Sequence, residues 1–154
     1  MTVEHATFTL ERDYDAPPAA VFAAWATPEA KSRWFVGPDE WVAKPLEQDF
    51  RVGGEERVSG GQPGGKVFHY AARYQDIVPD ERIVTTYEMH MEDTRISVSV
   101  ATVEFTPSGG GTRLVYTESG AFLDGHDRVE YRERGTTELL DNLGRALAGG
   151  GAVE

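Results

Sequence analysis

Aromatic side chains are the residues of this chain best suited to act on another molecule. Trp34, Phe35 and Trp41 cluster in one short segment, while Tyr70, Tyr74, Tyr87 and Met89 fall on alternating positions of two strand-like stretches. Rings of this kind offer a ligand large contact area, and a tyrosine adds a polar tip that can orient it. Phe122 and Leu139 complete the candidate wall, and Gly135 interrupts the last helical stretch beside Leu139. Taken singly, each is equally at home in a packed core. As a group they point to a cavity that binds a small hydrophobic or amphipathic molecule. Gly135 has two readings, since a mid-helix glycine costs about 1 kcal/mol relative to alanine. Either it clears space for a ligand beneath the helix, or it lets the helix pack closely against a tyrosine.

Other chemistry finds less support. Glu88, His90 and Glu92 alternate along the face opposite Tyr87, Met89 and Met91, which makes them a solvated face rather than a metal site. No metal and no cofactor is implied. The serines lie in strand or turn contexts without a G-x-S-x-G elbow. The glycine-rich stretch 60–65 lacks the Lys-Ser/Thr pair of a phosphate loop and reads as a hairpin tip. Were the cavity catalytic, Tyr70, Tyr74 or Tyr87 would donate the proton, with Arg73 or Glu88 taking part if turned inward. A tyrosine near its ordinary pKa of ~10 needs a perturbing neighbour for this work. None is identifiable from the sequence, and catalytic residues stay unassigned.

The elements that must carry these residues follow from periodicity. Residues 7–14 alternate, with Phe8, Leu10 and Tyr14 on one face, and read as a strand. The paired prolines Pro17 and Pro18 suit the first turn of a helix with the stripe Val21, Phe22 and Trp25. Thr27 and Pro28 begin a second short helix, as N-cap and first helical residue, which ends near Trp34. A run of strands follows. In the strand 95–105 Ile96, Val98 and Val100 align first and Val103 and Phe105 afterwards, which predicts a bulge near Ala101 and Thr102. Residues 127–147 form a long helix whose stripe includes Val129, Thr136, Leu139, Leu140 and Leu143. Its charged first half, with Arg128, Glu130, Arg132 and Arg134, reads as a solvated face or a partner surface. Glycines 149–151 end it. The expected class is α+β: a curved antiparallel sheet wrapped around the final helix, with two short helices near the N-terminus and a cavity between helix and sheet.

Composition narrows the partners. The 154 residues suit one domain, with its core at about 7–147 and a short flexible glycine-rich tail. Fifteen basic against 26 acidic residues give a net charge of −11, which repels phosphate backbones and argues against nucleic acid. There is no cysteine, so disulfides, thiolate metal sites and a cysteine nucleophile are excluded together. No apolar run suggests membrane insertion, and the charged, alternating N-terminus lacks a signal-like core, so a cytoplasmic location is expected.

Five segments in order carry a resemblance: "YDAPPAAVFAAWATPEAKSRWF", "DFRVGGEE", "YQDIVPDERIV", "GGGTRLVYTESGAF" and "GTTELLDNLGRAL". Together they resemble the activator of heat-shock-protein-90 ATPase homologue family, within the START-like, or birch-pollen-allergen-like (SRPBCC), helix-grip superfamily. The resemblance implies a helix-grip fold of six or seven strands over the C-terminal helix. It implies binding of apolar molecules such as lipids, sterols or polyketides. Alternatives are a cyclase-, aromatase- or hydrolase-like activity, or interaction with a chaperone in a stress response. A homodimer is compatible with exposed sheet edges. The chain departs from the family where Glu55, Glu56 and Arg57 replace aromatic and apolar residues, and where Ala72 replaces a common glycine.

Overall fold

The computed structural model describes residues 1–150. In chain order it has β1 (Val3–Tyr14), α1 (Pro18–Ala26), α2 (Pro28–Lys31), β2 (Val42–Ala43), β3 (Glu47–Gln48) and β4 (Glu55–Gly61). Then come β5 (Phe68–Val78), β6 (Arg82–Met91), β7 (Thr94–Ser108), β8 (Gly111–Leu123) and α3 (Val129–Gly150). Thr27 caps α2 as its sequence predicts, its hydroxyl accepting from the Ala30 N–H at 3.1 Å. The expected glycine stop lies at the edge of the described residues: α3 runs through Gly150, and the tail 151–154 falls outside them.

All pairings are antiparallel, in the order β1-β8-β7-β6-β5-β4-β2, with β3 also against β4. Six long strands therefore build the sheet, and two two-residue strands extend its β4 margin. Sharp hairpins close it: Gly109 and Gly110 both take positive φ (57° and 84°) between β7 and β8, a conformation that favours glycine. The sheet is one layer, and its inner face must be covered by whatever helices the chain supplies.

The register corrects one sequence expectation. Strand β7 pairs with β8 without interruption from Ser97 to Ser108, so there is no bulge at Ala101 and Thr102. The irregularity lies instead where β6 and β7 slip between Met89 and His90, leaving Ile96 as the extra residue. A bulge turns consecutive side chains to one side, and Ile96 and Ser97 are both fully buried. Beyond it, Ser99, Ala101, Val103 and Phe105 point inward, while Val98 and Val100 stand 41% and 45% exposed on the outer face. The apolar character of two valines had outweighed the serines in the sequence pattern, although the serines are the inner residues. A second slip, between Tyr74 and Asp76, bends β5.

The main core lies at one end of the sheet. Val21, Phe22 and Trp25 of α1 meet Phe105 and Leu114 of the sheet and Leu140 and Leu143 of α3. Tyr14 ties α3 down there, its hydroxyl donating to the Leu140 carbonyl at 2.7 Å, with its ring under Gly144. A Cβ at Gly144 would come within 3.2 Å of that ring, whereas a Cβ at Gly135 would meet nothing within 4 Å. Close packing against a tyrosine thus belongs to Gly144. The carboxy-terminal half of α3 is seated on the core, and its amino-terminal half bridges open space.

The two glycines should respond differently to alanine. Gly135→Ala gains helix propensity with no steric opposition and should raise stability by about 0.5–1 kcal/mol. Gly144→Ala should fall clearly short of that gain, because its methyl presses on the tethered Tyr14 ring. Paired urea denaturation curves check this, and equal effects would contradict it.

Candidate ligand cavity

Between the sheet and α3 lies a wide-mouthed cavity of about 1830 Å³. It exceeds the ~300–1,000 Å³ usual for small-molecule pockets. One wall is the inner face of β5, β6 and β7, through Tyr70, Tyr74, Thr85, Tyr87, Met89 and Ala101. The opposite wall is α3, through Arg132, Gly135, Thr136 and Leu139, and the segment 32–46 forms the rim.

Nine of the ten residues singled out from the sequence line this space: Trp34, Phe35, Trp41, Tyr70, Tyr74, Tyr87, Met89, Gly135 and Leu139. Their situations differ. Trp34, at the end of the second short helix, is buried, packed 4.6 Å from Trp25 with its indole N–H donating to the Ala24 carbonyl at 3.0 Å. The α1–α2 corner pulls it into the floor. Phe35 does reach the space, edge-on to Tyr70 at 5.3 Å. Trp41 stacks nearly parallel on Phe68 at 5.7 Å, and it lies so close over Gly37 that a Cβ there would sit 2.8 Å from the indole. Tyr70 and Tyr87 pack ring to ring at 4.8 Å. Phe122 is the exception. It is buried beneath the Arg132 guanidinium, 5.3 Å over its ring, and does not line the cavity.

Two buried polar clusters flank the aromatic wall, and the sequence reading missed both. At the α3 end, Glu118 is 1% exposed and accepts from the Tyr87 hydroxyl (2.6 Å), the Tyr116 hydroxyl (2.8 Å) and Arg132 Nη1 (3.3 Å). Arg132 also donates to the Tyr87 oxygen (2.9 Å), Ser97 Oγ (2.8 Å) and Asp127 Oδ2 (2.7 Å). Its side chain is only 9% exposed, so the solvated face expected for this part of α3 does not include Arg132. The stripe spacing was the available signal: Arg132 sits three residues after Val129 and four before Thr136. Glu118 likewise shares strand parity with Leu114, Tyr116 and Phe122.

At the core end, Lys31 Nζ lies 2.7 and 3.0 Å from the two oxygens of Glu56, itself 1% exposed. Glu56 also accepts from the Tyr74 hydroxyl, and Gln48 Nε2 donates to that hydroxyl at 2.8 Å. The Lys31 ammonium lies 4.4 Å from the Phe35 ring centroid, a cation–π geometry. The charged triplet that departs from the family pattern therefore places its middle member in the interior. Glu88, by contrast, faces outward to Arg95 at 3.2 Å, and Arg73 is exposed, so neither turns into the cavity.

These surroundings set protonation states. Burial pushes the Tyr74 hydroxyl well up, reinforced by the Glu56 carboxylate. Tyr87 is also pushed up chiefly by burial, with Arg132 partly opposing and Glu118 assisting. Burial works against the Arg132 charge, but Tyr87, Glu118 and Asp127 outweigh it and hold the guanidinium more firmly charged than usual. The interior phenols are donors, not phenolates, at neutral pH.

A curved antiparallel sheet that holds a long helix off its inner face, over an open cavity, defines a helix-grip protein. The chain belongs to the family of Activator of Hsp90 ATPase homolog 1-like proteins, whose model matches residues 15–148. A solved, uncharacterised protein of Rhizobium leguminosarum is 46% identical, with a TM-score of 0.90 over 96% of this chain and 97% of that one. A protein of Rhizobium loti is also 46% identical, with a TM-score of 0.87 over 94% and 99% of the two chains. One from Chromobacterium violaceum is 28% identical, with a TM-score of 0.76 over 90% and 94%. Among curated proteins none matches the chain. No helix of the described residues is long and apolar enough to cross a membrane.

Two outcomes follow. Arg132→Ala leaves the Glu118 carboxylate buried without its cation and should cost about 3–5 kcal/mol in urea denaturation. A loss under 1 kcal/mol would mean the cluster is not tight. Stability should also fall in alkali. Tyr14, Tyr74 and Tyr87 all have raised pKa values in the folded chain. Their contribution is complete below the unfolded value of ~10 and is lost as pH rises above it. The slope approaches about 1.4 kcal/mol per pH unit for each tyrosine. Thermal melts between pH 8 and 11 by circular dichroism test this, and a flat profile would refute it.

Proposed function

We propose that this protein binds a small hydrophobic or amphipathic molecule in the cavity between sheet and helix. The observation that carries the reading is the space itself: one helix leaves much of an aromatic inner wall uncovered, and α3 has a glycine where it spans that space. An apolar body would contact Trp41, Tyr70, Met89 and Leu139, with Trp34, Phe35, Tyr74 and Tyr87 behind and beside it. Phe122 supports Arg132 from below rather than touching the guest.

The polar clusters support binding over catalysis. Each interior carboxylate oxygen of Glu118 and Glu56 already accepts a hydrogen bond from a neighbouring side chain. Such groups position the wall, and a base engaged this way is a poor proton acceptor for a substrate. The family's description names a chaperone ATPase activator. In this chain the developed feature is an internal cavity, so ligand binding is the reading we favour.

Nile red, an uncharged apolar dye, tests the proposal. Its fluorescence should rise on binding with micromolar affinity. Gly135→Trp, which puts an indole into the open space, should abolish that rise while leaving the circular dichroism spectrum unchanged. Dye binding that is absent, or unaffected by the tryptophan, would overturn the proposal.

A further inference from the structure

Five tyrosines line the cavity: Tyr131 stands exposed on α3, and of the four on the sheet three have their hydroxyls committed. Tyr74 donates to Glu56, and Tyr87 and Tyr116 donate to Glu118. Tyr70 stands between them, its ring held by Phe35 at 5.3 Å and Tyr87 at 4.8 Å. Among the described residues its hydroxyl has no hydrogen-bond partner. The polar side-chain atoms sealed in the interior without partners are Trp25 Nε1, Gln48 Oε1 and Ser99 Oγ. The Tyr70 oxygen is not one of them, so it keeps access to the cavity that its residue lines. A hydroxyl fixed in an apolar wall and left open is a group whose partner must come from the cavity.

The surroundings decide what that partner is. Burial, and after it the Glu56 carboxylate, Tyr87, Tyr74 and Glu118, all disfavour the Tyr70 phenolate, so the group offers its proton. The complementary atom is therefore an acceptor. An anionic acceptor is poorly suited. The charged groups that act on the Tyr70 hydroxyl are the Glu56 and Glu118 carboxylates, both disfavouring negative charge there, while the further basic lining residues Arg33 and Lys44 belong to the rim and Arg145 to the carboxy-terminal half of α3. Rings surround the site: Phe35 and Tyr87 touch Tyr70, and the stacked pair Trp41 and Phe68 lies on the same cavity wall. Flat π-faces of this kind favour an aromatic guest.

We infer that Tyr70 is the specificity-determining donor of this cavity, its O–H directed to the carbonyl oxygen of an uncharged aromatic ligand. The inference rests on the ligand-binding reading above and adds the chemical class to it. It selects a neutral aromatic ketone over both the corresponding hydrocarbon and a carboxylate.

The test uses 9-fluorenone and fluorene, which share a ring skeleton and differ by the carbonyl. Affinities are measured by displacement of Nile red from the full chain. The native protein should prefer fluorenone by about tenfold, the upper range of one net hydrogen bond. Tyr70→Phe should erase that preference, bringing the fluorenone affinity down to that of fluorene. The variant removes only an unpaired oxygen, and a matching circular dichroism melt verifies the fold. As a second measurement, the infrared carbonyl stretch of bound fluorenone should move to lower frequency in the native protein but not in Tyr70→Phe. An unchanged fluorenone affinity in Tyr70→Phe, or equal weakening of both probes, would overturn the inference while leaving ligand binding standing. Failure of Nile red and both probes to bind the native protein would instead overturn the ligand-binding reading, and this inference with it.

Discussion

A guanidinium is long enough to span the gap between a helix and a sheet, and Arg132 spans it with both terminal nitrogens engaged. Its partners come from three places: Glu118 on β8 and Tyr87 on β6, on one sheet face with β7 between them, Ser97 at a bulge, and Asp127 just before α3 begins. Removing these charges from water costs several kcal/mol per ion, offset only when each is paired and hydrogen-bonded. By that accounting alone, an apolar replacement of similar volume folds as well. What it would not do is hold the amino-terminal half of α3 at side-chain distance from the sheet. The carboxy-terminal half is fixed differently, by Leu140 and Leu143 in the core and by Tyr14. One half of the helix is packed and the other is propped, and the cavity is the space under the propped half.

The same division explains what the sequence made legible. Periodicity reports apolar faces, and the apolar faces located α1, the six long strands and α3 with the correct order and class. Of the nine proposed wall residues that line the cavity, Tyr70, Tyr74, Tyr87 and Met89 are legible from parity on β5 and β6, and the other five lie in the segment 34–41 or on α3. Polar residues in apolar places were misread in consistent ways. Arg132 looked like part of a charged helix face, although its spacing put it on the stripe. Glu56 read only as a charged departure from the family pattern, and Ser97 and Ser99 lost to Val98 and Val100 in setting the phase of β7. For Glu56 and Ser97 the deciding fact was a partner distant in sequence, Lys31 for the one and Arg132 for the other, whereas Ser99 simply follows the phase that the bulge sets. Pattern reading weighs each residue against its near neighbours, so it cannot see a compensating charge on another element.

Phe122 shows the limit from the other side. It reads from the sequence as a wall residue and is buried, but an apolar ring's place on an inner face does not say which neighbour covers it. Arg132 lies over the ring and separates it from the cavity. Trp34 makes a similar point. A large ring at the end of a short helix reads as rim, yet its indole N–H reaches back to the Ala24 carbonyl and draws it into the floor. Aromatic identity gives the amount of surface to be buried, and hydrogen bonding decides where.

The interior is therefore organised by satisfaction of polar groups as much as by apolar contact. Two clusters, Lys31–Glu56–Tyr74 and Arg132–Glu118–Tyr87, stand at the two ends of an aromatic wall, each with its acids and donors matched. Matched groups stiffen a wall without drawing water or substrate to themselves. Against that background the open donor of Tyr70 has disproportionate effect, because a guest loses little by touching the surrounding aromatic wall and gains a directed bond there. Selectivity in a cavity this large cannot come from a tight steric fit. It has to come from a few fixed polar contacts, and the closed clusters on either side are what make the remaining one specific.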